Sequence, residues 1–86
     1  MKVMINKCPH GFTLSEAQRA LFPEMTLEMI PRHDEKLIAS FEAGDRRGDG
    51  GSTLTIVEIP DGHHYRVQAT NGVETLYHSA SAIEAL

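Results

Sequence analysis

The stretch Thr53-Leu54-Thr55-Ile56-Val57-Glu58-Ile59-Pro60-Asp61-Gly62-His63-His64-Tyr65-Arg66-Val67-Gln68-Ala69-Thr70-Asn71-Gly72-Val73-Glu74-Thr75-Leu76-Tyr77-His78 decides the fold. Residues 53–59 are rich in β-branched side chains, which suit a pleated, half-buried surface, and read as a strand. Pro60-Asp61-Gly62 is a turn, because proline presets φ at the first central position and glycine takes positive φ. Residues 65–70 form a second strand. Asn71-Gly72 is the strongest short hairpin signal, since a type I′ turn needs positive φ at both central residues. Residues 73–78 form a third strand. The reading is a three-stranded antiparallel meander.

The two-residue Asn71-Gly72 loop pairs Val67 with Leu76, Arg66 with Tyr77 and Tyr65 with His78. A type I turn plus glycine bulge at Pro60-Asp61-Gly62 puts Val57 and Ile59 on the Tyr65/Val67 face. A two-residue Asp61-Gly62 loop puts Leu54 and Ile56 there instead, because a one-residue slip flips every side chain. Both sets are apolar. Pro60 favours the bulge.

Upstream, residues 2–7 carry Val3-Met4-Ile5 and read as a strand that ends at Cys8-Pro9, where proline withholds a donor and holds Cys8 extended. His10-Gly11 is a turn. Ser15-Glu16-Ala17-Gln18 is a capping box that opens a helix over 16–22, stopped by Pro23. Residues 24–30 alternate like a strand but have helical propensity, and Pro23 and Pro31 leave room only for a short irregular or extended piece. Asp34 caps a helix over 35–43 with Gly44 at its end. Residues 45–52 hold three glycines and form a loop. Residues 79–86 form a helical turn or fray. The expected fold is α+β over one domain, residues 1–86: an N-terminal strand, two short helices and the meander, in one sheet with helices on one face.

Size and composition narrow the function. Eighty-six residues scale to ~5,000 Å² of folded surface against ~14,000 Å² unfolded, enough for one modest core but little enclosing wall. The net charge is −4, and beyond residue 52 only Arg66 is basic. With no Lys/Arg stripe, direct nucleic-acid binding is disfavoured, because phosphate neutralisation supplies most non-specific affinity. One cysteine, no leader-like segment and no run of ~20 apolar residues point to the cytoplasm rather than secretion or a membrane.

Four constellations bear on chemistry. Cys8-Pro9-His10 combines a thiol and an imidazole, but residues two apart around a proline need not face each other and no oxyanion-hole motif accompanies them. The five histidines His10, His33, His63, His64 and His78 lack zinc-ligand spacing, and adjacent His63 and His64 point to opposite faces of a strand, so no metal and no cofactor are expected. Arg46-Arg47-Gly48-Asp49-Gly50-Gly51 lacks the lysine and the following helix of a phosphate loop. Arg66 beside Tyr77 across the hairpin is a cation–π pair on an exposed sheet face that also carries Gln68 and Thr75, and Arg and Tyr are enriched at interface hot spots.

Ile5-Asn6-Lys7-Cys8 followed by Gly11-Phe12 and Leu14-Ser15 resembles the N-terminus of a set of small phage-encoded accessory proteins. So do Pro31-Arg32 with its following acidic pair, and Ile56-Val57-Glu58-Ile59-Pro60-Asp61. This chain has Pro9-His10 where that set has an aromatic residue and a glycine. The resemblance implies a phage or prophage accessory protein that is not an enzyme and that binds a host protein or complex in the host cytoplasm. Inhibition of a host defence such as CRISPR–Cas is the specific role it suggests. Size, acidity and the lack of catalytic motifs agree with binding. The expected contact residues are Cys8, His10, Phe12 and Arg32, with Arg66 and Tyr77 on the sheet face. Two other readings stand beside it: a small enzyme or ligand-binding protein centred on Cys8 and His10, and a homo-oligomeric module, a homodimer for instance, pairing through an open sheet edge.

Overall fold

The computed structural model describes residues 1–81. Its elements are β1 (Lys2–Asn6), α1 (Glu16–Arg19), α2 (Glu35–Glu42), β2 (Leu54–Glu58), β3 (His64–Thr70) and β4 (Val73–Ser79), with 3₁₀ turns at Leu27–Met29 and Asp49–Gly51. The class is α+β. Residues 24–30 resolve into one of these 3₁₀ turns, and the last five residues of the expected tail lie outside the described residues.

Local sequence sets both helices. Ser15 accepts from the Gln18 main-chain N–H at 3.1 Å, and the Gln18 side chain accepts from the Ser15 N–H at 3.1 Å, completing the capping box. The α-helix is shorter than the expected 16–22. Leu21 and Phe22 donate to the carbonyls of Gln18 and Arg19, three residues back, so the last turn tightens before Pro23. Asp34 caps α2 through Lys36 N–H at 2.8 Å and Leu37 N–H at 3.4 Å. At its end Gly44, with φ +114, and Asp45 donate to Phe41 and Ser40, the paired bonds of a Schellman motif. The helices and loops close a core of Met4, Leu14, Phe22, Ile30, Leu37, Ile38 and Leu54.

The β3–β4 hairpin has the register expected of it: Tyr65 opposite His78, Arg66 opposite Tyr77, Val67 opposite Leu76. Asn71 and Gly72 take φ 53 and 85, as a type I′ turn requires.

The three-stranded meander and its single sheet do not form. Among the described residues β2 pairs with β1, Val3 opposite Val57 and Ile5 opposite Thr55, and β3 pairs with β4 alone, giving two antiparallel two-stranded sheets. Neither expected β2–β3 register is therefore realised. The cause lies at Ile59. Its N–H donates to Met1 O at 2.9 Å, and its carbonyl accepts from Met1 N at 2.5 Å, so the chain past β2 stays bound to β1 instead of folding back. Pro60 then stands at the first corner of the turn, not the second: His63 N–H donates to Pro60 O at 3.2 Å, and Gly62 has φ +82 at the third position.

The second edge of β1, where a third strand would add, is occupied by other groups. Met4 N–H donates to the carbonyl of Arg32 at 2.8 Å, and Asn6 N–H donates to a carboxylate oxygen of Glu74, on β4, at 2.8 Å. The Arg32 guanidinium returns a bond to Met4 O at 3.3 Å. The β3–β4 ribbon is thus fastened to β1 by a side chain rather than by a ladder. This satisfies the edge, which is otherwise a template for unwanted pairing.

Candidate functional site

Where β1 ends, Asn6 is fully buried and joins three segments. Its amide nitrogen donates to the carbonyls of Cys8 at 2.7 Å and of Gly72 at 2.9 Å, and its oxygen accepts from Cys8 N–H at 3.1 Å. The Asn71-Gly72 turn therefore sits directly against the Cys8–Phe12 loop. A Cβ at Gly72 would overlap the main chain of Pro9. Ser52 braces the far side of the loop by donating to Gly11 O at 2.5 Å.

Within this loop Cys8 Sγ lies 2.7 Å from His10 Nδ1. Proline between them turns the chain so that the two side chains meet, whereas the spacing alone gives no reason to expect contact. The hydrogen bond from the imidazole is the main reason the Cys8 thiol is held below its ordinary value of 9.0. Main-chain N–H groups of His10 and Thr53 act the same way, against the opposing effect of desolvation. Cys8 is half-buried as a residue and His10 is exposed.

Phe12 follows, with the Arg32 guanidinium 3.4 Å from its ring centroid. Arg32 in turn binds Glu74 through two bonds, Nη1 to Oε1 and Nη2 to Oε2, each 2.7 Å. Beside this pair the phenol of Tyr65 meets His33 Nδ1 at 2.6 Å, and burial pushes its pKa up against the lowering effect of nearby Arg32.

Four of the six expected contact residues, Cys8, His10, Phe12 and Arg32, are joined into one neighbourhood by Asn6 and Glu74. Arg32 is a brace there: its charge is spent on Glu74 and its face on Phe12. The other two lie elsewhere. Directly opposed residues of the hairpin share a face, so Arg66 and Tyr77 are on the side of the ribbon opposite Glu74 and Tyr65. Arg66 stacks on Tyr77 with its guanidinium carbon 4.5 Å from the ring centroid and donates to Gln68 at 2.7 Å. Tyr77 is 45% exposed. Arg66 Nε is buried and has no hydrogen-bond partner among the described residues.

Asn6 and Glu74 escape a reading of the sequence. The signal present is slight: a polar residue closing the apolar run Val3-Met4-Ile5, and a carboxylate two positions past an Asn-Gly turn. Among the described residues no helix is long and apolar enough to cross a membrane. No family model, curated protein or solved structure matches the chain.

Proposed function

We propose that this chain is a protein-binding module, of the kind that phage accessory proteins use against host machinery, and that it engages its partner through the outer face of the β3–β4 ribbon. The observation that carries the reading is the Arg66–Tyr77 pair. A large exposed ring is held in place by a stacked guanidinium whose Nε–H has no acceptor among the described residues. A buried donor without an acceptor is costly, by about 1–3 kcal/mol, and a small shift of the stack on docking would open the Nε–H to a partner carbonyl or carboxylate and relieve it. Holding the two side chains together beforehand also lowers the entropy lost on docking. Inhibition of a defence complex is the narrower form of the proposal.

The test is affinity capture from a host lysate with the wild-type chain, Tyr77→Ala and Arg66→Ala in parallel. The expected result is a protein retained by the wild type and lost from both variants, with thermal melts unchanged. Equal retention by all three removes this face as the docking surface.

A second reading is favoured by the Cys8–His10 contact. An accessible thiol beside an imidazole is a nucleophile or a ligand for an electrophilic group. Support would be covalent capture of a small electrophile that is lost in Cys8→Ser and slowed in His10→Ala. A Cys8 no faster than a free thiol at the same pH would dismiss it.

A further inference from the structure

The turn that replaces the expected meander corner brings together two histidines that the sequence keeps apart. Gly62, at φ +82, ends the Pro60–His63 turn and delivers His63 to the mouth of the β3–β4 hairpin. His63 continues the face of β3 that carries Tyr65, and Tyr65 stands opposite His78. His63 and His78 are therefore diagonal neighbours on one face. Their Nδ1 atoms lie 2.9 Å apart, with ring centroids 5.1 Å apart and the planes tilted by 39°. His64 points to the other face by the two-residue period of a strand and cannot join them.

We propose that His63 and His78 form a two-donor chelate for a late first-row divalent metal, Cu²⁺ or Ni²⁺. The separation is the argument. Imidazole nitrogens bind such ions at ~2.0–2.1 Å. Two of them at a right angle around one ion stand about 2.9 Å apart, whereas tetrahedral ligands stand about 3.4 Å apart. In the metal-free chain 2.9 Å is the length of an ordinary N–H···N hydrogen bond, and it equals the right-angle spacing of the square-planar or tetragonal sites that Cu²⁺ and Ni²⁺ prefer, so an ion can take the place of that bond without separating the two nitrogens. No group of three or more Cys, His, Asp or Glu side chains converges on a metal among the described residues, so the remaining positions belong to water or to an incoming donor.

Without metal the two rings share one hydrogen bond, one Nδ1–H donating to the other Nδ1 lone pair. On binding, the donating ring carries its proton on Nε2 instead, so both Nδ1 lone pairs face the ion and two neutral rings release no net proton. The metal also ties the start of β3 to the end of β4, so it stabilises the folded hairpin by mass action.

The experiment uses the untagged chain carrying Cys8→Ser, so that the thiol neither binds nor reduces the ion. Calorimetric titration with Ni²⁺ should give one site per chain. His63→Ala and His78→Ala should each weaken it at least ~10-fold, a scale on which even outer-shell partners of metal ligands act, and His64→Ala should leave it unchanged. Substoichiometric Cu²⁺ should broaden the imidazole nitrogen-15 resonances of His63 and His78 by paramagnetic relaxation, Nδ1 before Nε2 on both rings, and should spare those of His64. No binding, binding that survives both alanine variants, or coordination through Nε2 would overturn the proposal.

Discussion

Arg32 and Glu74, 42 residues apart in the chain, meet through two parallel hydrogen bonds of 2.7 Å with side-chain exposures of 18% and 6%. Each also holds β1: Arg32 through Met4, Glu74 through Asn6 N–H. This pair is the fastening between the two sheets. Removing one partner leaves a charge enclosed with nothing to neutralise it, a loss of about 3–5 kcal/mol. Glu74→Ala and Arg32→Ala should each lower the unfolding free energy obtained from urea denaturation by that order. The double variant Arg32→Ala with Glu74→Ala should lose less than the two single losses together, because no orphaned charge remains. Additive losses would show that the pair is not coupled.

Gly72 and Gly62 offer a comparison at matched backbone conformation, φ 85 and 82. An alanine at either position is strained by about 1–2 kcal/mol. At Gly62 the added Cβ meets open space, but at Gly72 it strikes Pro9. Gly72→Ala should therefore destabilise clearly more than Gly62→Ala in thermal melts, and it should shift amide resonances across the Cys8–Phe12 loop, while Gly62→Ala leaves that loop undisturbed. Equal losses would mean the turn does not seat on the loop.

This contrast also marks how far the sequence could be read. Asn71-Gly72 announces its turn, and the turn dictates the pairing of Arg66 with Tyr77, because hairpin register is a local property of two residues. The capping box at Ser15 and the Asp34 cap are local in the same sense. The join between the sheets is not. Arg32 and Glu74 each look like an ordinary solvated charge, and their pairing depends on a contact across half the chain. The meander expectation failed for a related reason: consecutive strands usually neighbour one another, but here Ile59 is already bound to Met1. Of the site residues, Arg66 and Tyr77 were legible as a pair, the meeting of Cys8 with His10 was not, and His63 with His78 depended on a turn whose placement the sequence left open.

Asn6 should be harder to replace than its position at a strand end implies. It makes two donor bonds and accepts one, all to main chain. Asn6→Leu fills a similar volume but strands the carbonyls of Cys8 and Gly72 and the Cys8 N–H, and an unsatisfied buried group costs about 1–3 kcal/mol. A loss of at least 2 kcal/mol in chemical denaturation is expected, with earlier exchange of the Cys8 amide. Neutral behaviour would show that water takes over these bonds.

Cys8 carries the pH prediction. Its thiol is held below 9.0 chiefly by the His10 side chain. A lowered folded value means the thiolate favours the folded chain above the unfolded pKa, and that contribution disappears as pH falls through the folded pKa. The thiolate is also the species that alkylates. The iodoacetamide rate of the wild type should therefore rise with pH through a midpoint below 9.0, and His10→Ala should move that midpoint upward. His10→Gln, which keeps an amide donor, should fall between the two if hydrogen bonding outweighs charge, as the order of the causes at this site indicates. Identical midpoints in the wild type and His10→Ala would mean that the 2.7 Å contact does not persist in solution, and with it the case for Cys8 as an activated nucleophile would go.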